Sequence, residues 1–393
     1  MLLTPLSFPN FNIYSTPLLI LVAQGLIFIA LLWGKYVKKR NASDLFLALI
    51  LLVVCYQQIC YTVGFMGWYD TFRNTKINYW LIPMSLGLAP MVYFYVKSIT
   101  TSTFLFRKKD WWHFAPAILL VIYRVVIYTY DAFQPGFNET QNGYLKIHLD
   151  EAIVLPMLSF IDFAQMLLYL AFTFQLFYNY RSKIKQYFSN VYRLELNWIL
   201  SFLIVFTAIF LYGAIQSFIG SLVADLSYTQ RWWLNLFMAL ATIYIGVKGY
   251  FTDTTKLNTL DFSFTPNPES IPQVEDQKLI SPEEVKRIQT MMETEKWYLN
   301  PDLNLSQLAK EVNMTRAQLS QVINIGFDKN FNDFVNSFRV NAFKKKLHEG
   351  EHQQLSLLGI AYDCGFNSKA TFNRVFKKFT NTSPSEFLNS QTN

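Results

Sequence analysis

LLGIAYDCGFNSKATFNRVFKKF, residues 357–379, carries two apolar periods separated by a single glycine. In the second period Phe372, Val375, Phe376 and Phe379 stand at i, i+3, i+4 and i+7, the recurrence of one helix face. In the first, Ala361 is small enough for two helices to cross closely. Gly365 supplies the turn, because a residue without Cβ reaches positive φ at no steric cost. Short helix, tight turn and second helix make a helix-turn-helix pattern, whose second helix enters the DNA major groove.

The pattern also occurs about 52 residues earlier, in LSQLAKEVNMTRAQLSQVINI at 305–325. Leu308, Ala309 and Val312 form one stripe and Leu319, Val322 and Ile323 the next. Asn313 takes the place of the turn glycine and is among the few other residues that tolerate a left-handed backbone. A basic stretch, FRVNAFKKKL at 338–347, bridges the copies. With GIAYDCGFNSKATFNRVFKKFTNTSPSEF at 359–387, the chain resembles the AraC/XylS family of bacterial transcription regulators over about residues 283–390. The resemblance implies seven helices, two helix-turn-helix units on a connecting helix, and two recognition helices in successive major grooves of promoter DNA. Two positions depart from the family's pattern. Asn381 stands where glycine is usual, and no basic residue follows Phe387.

With the apolar stripe of the second recognition helix buried, its other face carries Lys369, Ala370, Asn373, Arg374 and Lys377. Arg374 is the first candidate for a base contact, since its planar fork matches guanine O6 and N7; the resemblance also implies a base-reading position. Lys377 and Lys378 suit phosphate, where they add affinity and salt dependence. On the first recognition helix the exposed set is Arg316, Ala317, Ser320, Gln321 and Asn324, and Gln321 can pair with adenine. Such residues on a lone helix would merely solvate it; paired units favour DNA. The basic residues concentrate at 339–346 and 369–378, as one DNA-facing side requires.

Outward of this segment the composition changes. The 393 residues are 52% hydrophobic and only 16% charged, against about a quarter charged in soluble domains, and the excess apolar content lies before residue 250. Seven segments there reach the roughly 20 apolar residues a spanning helix needs: about 17–37, 45–66, 78–99, 112–130, 153–178, 197–220 and 231–250. Pro83, Pro90, Pro116 and Pro156 fall inside them, and Trp68, Trp80, Trp111, Trp112, Trp198, Trp232 and Trp233 cluster at their ends. The fold class expected is all-α: a seven-helix transmembrane bundle (1–250), a linker (251–280) and a helical DNA-binding domain (281–393).

Basic residues set the expected direction. Lys38, Lys39 and Arg40 follow the first span; Arg107, Lys108 and Lys109 the third; Arg181, Lys183, Lys185 and Arg193 the fifth. The other loops are poorer, with Arg73 and Lys76 in one and Lys146 among acids in another. By the positive-inside rule the N-terminus is outside and residue 251 onward is cytoplasmic, at a bacterial inner membrane. The N-terminus lacks the basic region of a signal peptide and is expected to be retained. Ser281-Pro282-Glu283-Glu284 reads as a helix start.

Within the spans, Arg124 and Asp162 are read as an ion pair in the outer half of the bilayer, with Gln57, Gln58 and Gln165 beside them. This set is either a pocket for a small-molecule or membrane-borne signal or a polar clamp between helices. His348, Glu349 and His352 spell the H-E-x-x-H of zinc peptidases. Gly350 between the histidines is expected to stop the helix the motif needs, and His113 and His148 lie in or beyond the membrane. Cys55, Cys60 and Cys364 offer no disulfide framework. No cofactor, metal or catalytic residue is expected, and no pattern supports an enzyme.

The reading is a membrane-bound one-component transcription regulator whose signal alters the placement or homodimeric pairing of its DNA-binding domains. Contact with RNA polymerase would serve activation, though no residue pattern identifies it. The alternative is a membrane receptor or transporter-like protein whose C-terminal domain binds a protein partner.

Overall fold

The computed structural model describes residues 8–72, 75–82, 84–101, 104–191, 194, 196–223, 226–252 and 280–392. The expected linker over 251–280, apart from its end residues, and Arg73, Pro83 and Arg193 lie outside the described residues. Two compact units divide the chain: Met1–Phe177 with Asn197–Ser263, and Tyr178–Leu196 with Phe264–Asn393. Among the described residues the only strand-like pairing is an isolated antiparallel bridge between Phe188 and Asn304.

Seven helices among the described residues are long and apolar enough to cross a membrane, at the seven places hydropathy indicated. They are α1 (Ser15–Lys39), α2 (Ala42–Phe65), α3 (Ser85–Thr100), α4 (Ala115–Ala132), α5 (Leu155–Tyr187), α6 (Asn197–Leu222) and α7 (Trp232–Phe251). Short helical turns lengthen three of them: Ile77–Trp80 before α3, Lys108–Phe114 before α4, and a wide π-type turn, Lys146–Val154, before α5. Pro116 occupies the first turn of α4, where no backbone donor is missed, whereas Pro90 sits inside α3.

In the first unit α2 is the hub, packed against α1, α3 and α7. Gly25 lets α1 approach α2 closely; a Cβ there would stand 2.6 Å from Cys55 Sγ. Apolar helices have no water-driven reason to associate inside lipid, so close backbone packing of this kind holds them. At one end of the unit, Lys35 of α1 pairs with Asp44 of α2 at 3.1 Å. It also donates to the Tyr250 and Thr252 carbonyls at the close of α7. Leu19, Ile20 and Ile27 on α1, Leu119, Ile122 and Val126 on α4, and Phe160, Leu168 and Phe172 on α5 are exposed. Water-facing surfaces seldom carry such apolar stripes.

The second unit contains α8 (Pro282–Glu295), α9 (Leu305–Glu311), α10 (Arg316–Gln321), α11 (Phe331–His348), α12 (Leu357–Asp363), α13 (Lys369–Thr380) and α14 (Pro384–Thr392). Ser281 caps α8 by accepting from the Glu283 N–H, at the start its sequence announces. Helix α11 serves two cores. Its first half, through Phe331, Phe334 and Val335, packs with Leu308, Ala309, Leu319 and Ile323; its second, through Val340, Phe343 and Leu347, packs with Ile360, Ala361, Phe372 and Phe376. Residues 178–191 belong to this unit too, and Tyr187 packs against its first core.

Candidate functional site

Each helix-turn-helix is built by local chemistry. In the first unit of the pair, α9 ends on a turn at Asn313 with φ 54, and Thr315 opens α10 in a reciprocal cap with Gln318. In the second, Gly365 turns with φ 90, its missing Cβ leaving room for the Tyr298 backbone carbonyl, and Ser368 caps α13 through the Thr371 N–H. The small crossing residues Ala309 and Ala361 are buried. Asn381 ends α13 in the left-handed region at φ 60, so it fills the conformational role of the absent glycine. Ser383 and Glu386 cap each other at the start of α14, and Phe387 packs edge-on against Phe376 at 5.4 Å. The residues that carried the resemblance therefore mostly build turns, caps and core.

The opposite faces are open. Arg316, Gln321 and Asn324 are exposed and Ser320 is half-buried; Asn324 lies in a wide π-type turn, Val322–Gly326, that continues α10. On α13, Lys369, Asn373, Arg374, Lys377 and Lys378 are exposed, opposite the buried Phe372, Val375 and Phe376. The Lys378 Nζ lies 2.6 Å from Asp333 Oδ1 of α11, an ion pair at the surface. Within the basic stretch 339–346 the side chains differ in their surroundings. Arg339 is buried, Lys345 faces Glu349 at 3.8 Å and Lys346 faces Glu351 at 3.0 Å.

Helix α11 ends at His348, and Gly350 follows with φ 82. His352 falls in a separate 3-10 turn, Glu351–Gln353, so the two histidines do not share the helix that the peptidase motif requires. Burial pushes the Cys364 thiol up to about 12, which leaves it a packing residue rather than a nucleophile.

Arg124 does not pair with Asp162. Its Nη1 lies 2.5 Å from Asp150 Oδ2, which the Lys146 ammonium also approaches at 2.5 Å. Beside them Asp131 accepts from the Tyr79 hydroxyl and from the Leu145 and Lys146 N–H groups. Arg124, Lys146, Asp131 and Asp150 are all buried, an arrangement suited to clamping helices. Asp162 instead lines a crevice of about 940 Å³ between α2, α3, α5, α6 and α7, with Gln57, Ser85, Phe206 and Thr242. Its Oδ1 has no hydrogen-bond partner among the described residues. Gln165 donates to the Leu86 carbonyl, and Gln58 is buried within α2. The expected set thus divides into a clamp, a crevice and two packing glutamines.

Sequence reasoning missed a polar notch in the second unit. Asn332, Asn336 and Arg339 recur along one face of α11 and are all buried. Asn332 Nδ2 donates to the Phe188 and Ser189 carbonyls at 3.2 and 2.6 Å, and Asn336 Nδ2 to the Ser189 carbonyl at 3.3 Å. Arg339 donates to Tyr298 O, Asn300 O and Ser189 Oγ at 2.8, 2.8 and 3.1 Å, and to Asn336 Oδ1. Burial lowers its guanidinium to about 10, still charged at neutral pH. The available signal was three polar residues at helical spacing on a face that should have been core.

Comparison with known proteins bears on the C-terminal part. Residues 308–390 match the family described as "Helix-turn-helix domain". An uncharacterized HTH-type transcriptional regulator of Pseudoalteromonas carrageenovora is 32% identical over 97 residues, 25% of this chain and 55% of that protein. The probable transcription factor PqrA of Proteus vulgaris is 29% identical over 93 residues, 24% of this chain and 74% of its own length. An uncharacterized HTH-type transcriptional regulator of Staphylococcus aureus is 27% identical over 112 residues, 28% of this chain but only 14% of that relative. No solved structure matches the chain.

Proposed function

We propose that this protein is a membrane-bound transcription regulator that binds promoter DNA through α10 and α13 under the control of a signal at its membrane half. The observation that carries the reading is the pair of helix-turn-helix units on α11, each burying its apolar stripe and presenting a polar face. Relatives named as transcriptional regulators share this segment. On α13, Arg374 and Asn373 read bases while Lys369 and Lys377 meet phosphates; on α10, Gln321 reads bases with Arg316, Ser320 and Asn324 around it. Lys378 serves DNA only by exchanging Asp333 for phosphate.

Seven apolar helices with exposed apolar stripes support insertion in a bacterial inner membrane. The basic loops after the first, third and fifth spans support a cytoplasmic C-terminal domain and an outside N-terminus. Residues 178–191, with the basic Arg181, Lys183 and Lys185, belong to the same unit as the helix-turn-helix pair, which supports a cytoplasmic side for both. The signal enters the crevice at Asp162, whose unpartnered oxygen suits an apolar, membrane-borne molecule with a hydrogen-bond-donating or cationic head.

A genome-wide crosslinking map of the tagged full-length protein in its native host, beside Arg374→Ala and Gln321→Ala forms, tests the reading. Discrete promoter peaks that vanish in the variants are expected. Their absence across several growth conditions, with the protein present in the membrane, would favour the receptor with a protein partner.

A further inference from the structure

We infer that the turn Phe188-Ser189-Asn190, at the end of α5, is the built-in ligand of the notch on α11, and that this contact transmits the membrane half's state to the DNA-reading helices. The inference rests on the regulator reading above.

Connecting turns normally lie on the surface with their backbone groups in water. This one does not. Ser189 is fully buried, as are Ile184 and Val191 on either side. Its backbone and side chain are taken up by the helix-turn-helix half. The Ser189 N–H donates to the Leu303 carbonyl at 3.1 Å, its carbonyl accepts from Asn332 and Asn336, and its hydroxyl accepts from Arg339. Phe188 adds the antiparallel bridge with Asn304. Among the described residues the Asn332 amide spends its hydrogen bonds on this turn alone.

The positions touched are those that govern the reading heads. Asn304 is the N-cap of α9, the first helix of the first helix-turn-helix. Helix α11 joins the two cores and so sets the spacing of α10 and α13. Meanwhile Arg316, Gln321, Asn373 and Arg374 stay exposed with the turn seated. The contact therefore holds the domain without covering its DNA face. It is also polar and small, made of hydrogen bonds that are individually modest in water, which suits a joint that must release.

The transmitting element is continuous. Helix α5 has 33 residues; it lies in the first unit up to Phe177 and supplies Tyr178–Tyr187 to the second. The same helix carries Asp162 of the crevice. A shift or turn of α5 on filling the crevice is delivered to Ser189 because a helix moves as a rigid element, and a ligand biases the states only so far as it prefers one.

The test uses the full-length protein in lipid nanodiscs for hydrogen exchange and in its native host for crosslinking maps. Two variants break the joint from opposite sides. Ser189→Pro removes the donor to Leu303, and Asn332→Asp keeps the size of the side chain while setting a carboxylate against two carbonyls. Slow exchange over 187–191 and 303–305 is expected in the parent and fast exchange in both variants. In the host, both variants should keep the parent's promoter sites but change occupancy there by about fivefold or more, the lower end of allosteric coupling. Equally fast exchange in parent and variants overturns the seated turn. Lost protection with unchanged occupancy makes the contact passive and overturns the coupling. A parent protected in nanodiscs that occupies no promoter sinks the regulator reading instead.

Discussion

Arg374 and Lys377 sit three residues apart on the exposed face of α13, yet they are assigned different work by chemistry alone. A guanidinium fork discriminates bases; an ammonium neutralises phosphate. Arg374→Ala should therefore lose about 1–3 kcal/mol of discrimination at one operator position, measured by competition between operator variants. Lys377→Ala should weaken all sequences alike and lower the salt slope of binding by about 1. The exposure of Arg374 was legible from periodicity because an amphipathic helix shows its polar face in the sequence. Lys378 has the same local pattern, and only Asp333 across the fold distinguishes it. At Asp150 one buried carboxylate holds two buried cations. Asp150→Ala leaves Arg124 and Lys146 facing each other without their shared anion, a loss of about 3–5 kcal/mol for a broken buried pair. Arg124→Ala leaves Lys146 still paired. Levels of folded protein in membranes should fall much further for the first variant than for the second.

Helix α11 is the element on which the second unit depends, since each half closes a different core. Phe343 is fully buried, with its ring 4.7 Å from Phe372 and 5.3 Å from Phe376. Phe343→Ala should cost about 3–5 kcal/mol. Limited proteolysis should then open α12–α14 before the first core, where Phe334 and Val335 are untouched. The turns between elements behave differently. Gly365→Ala forces a Cβ towards the Tyr298 carbonyl at positive φ, so it should destabilise the second helix-turn-helix by more than about 1 kcal/mol. Asn381→Gly, at φ 60, should be tolerated or slightly stabilising by the same protease assay. Both turns were legible in the sequence because the residues that reach positive φ are few.

For the whole molecule, orientation is the property that joins the two halves. Reporter fusions should place the loop after α3 and the loop after α5 on the cytoplasmic face, and the segment 133–142 outside. A cytoplasmic reading at 133–142 would reverse the bundle and strand the helix-turn-helix pair away from DNA. What the sequence by itself determined was the seven apolar helices, the two helix-turn-helix patterns with their turns, and the cap at Ser281, because hydropathy, 3.6-residue periodicity and capping chemistry act within a few residues of chain. Only the tertiary structure decided the partners. Arg124 meets Asp150, from the turn before α5, rather than Asp162, and Arg339 is drawn into the interior to hold Ser189, some 150 residues away in the chain. Those pairings arise from where packed helices set side chains against one another, and spacing along the chain carries no record of that.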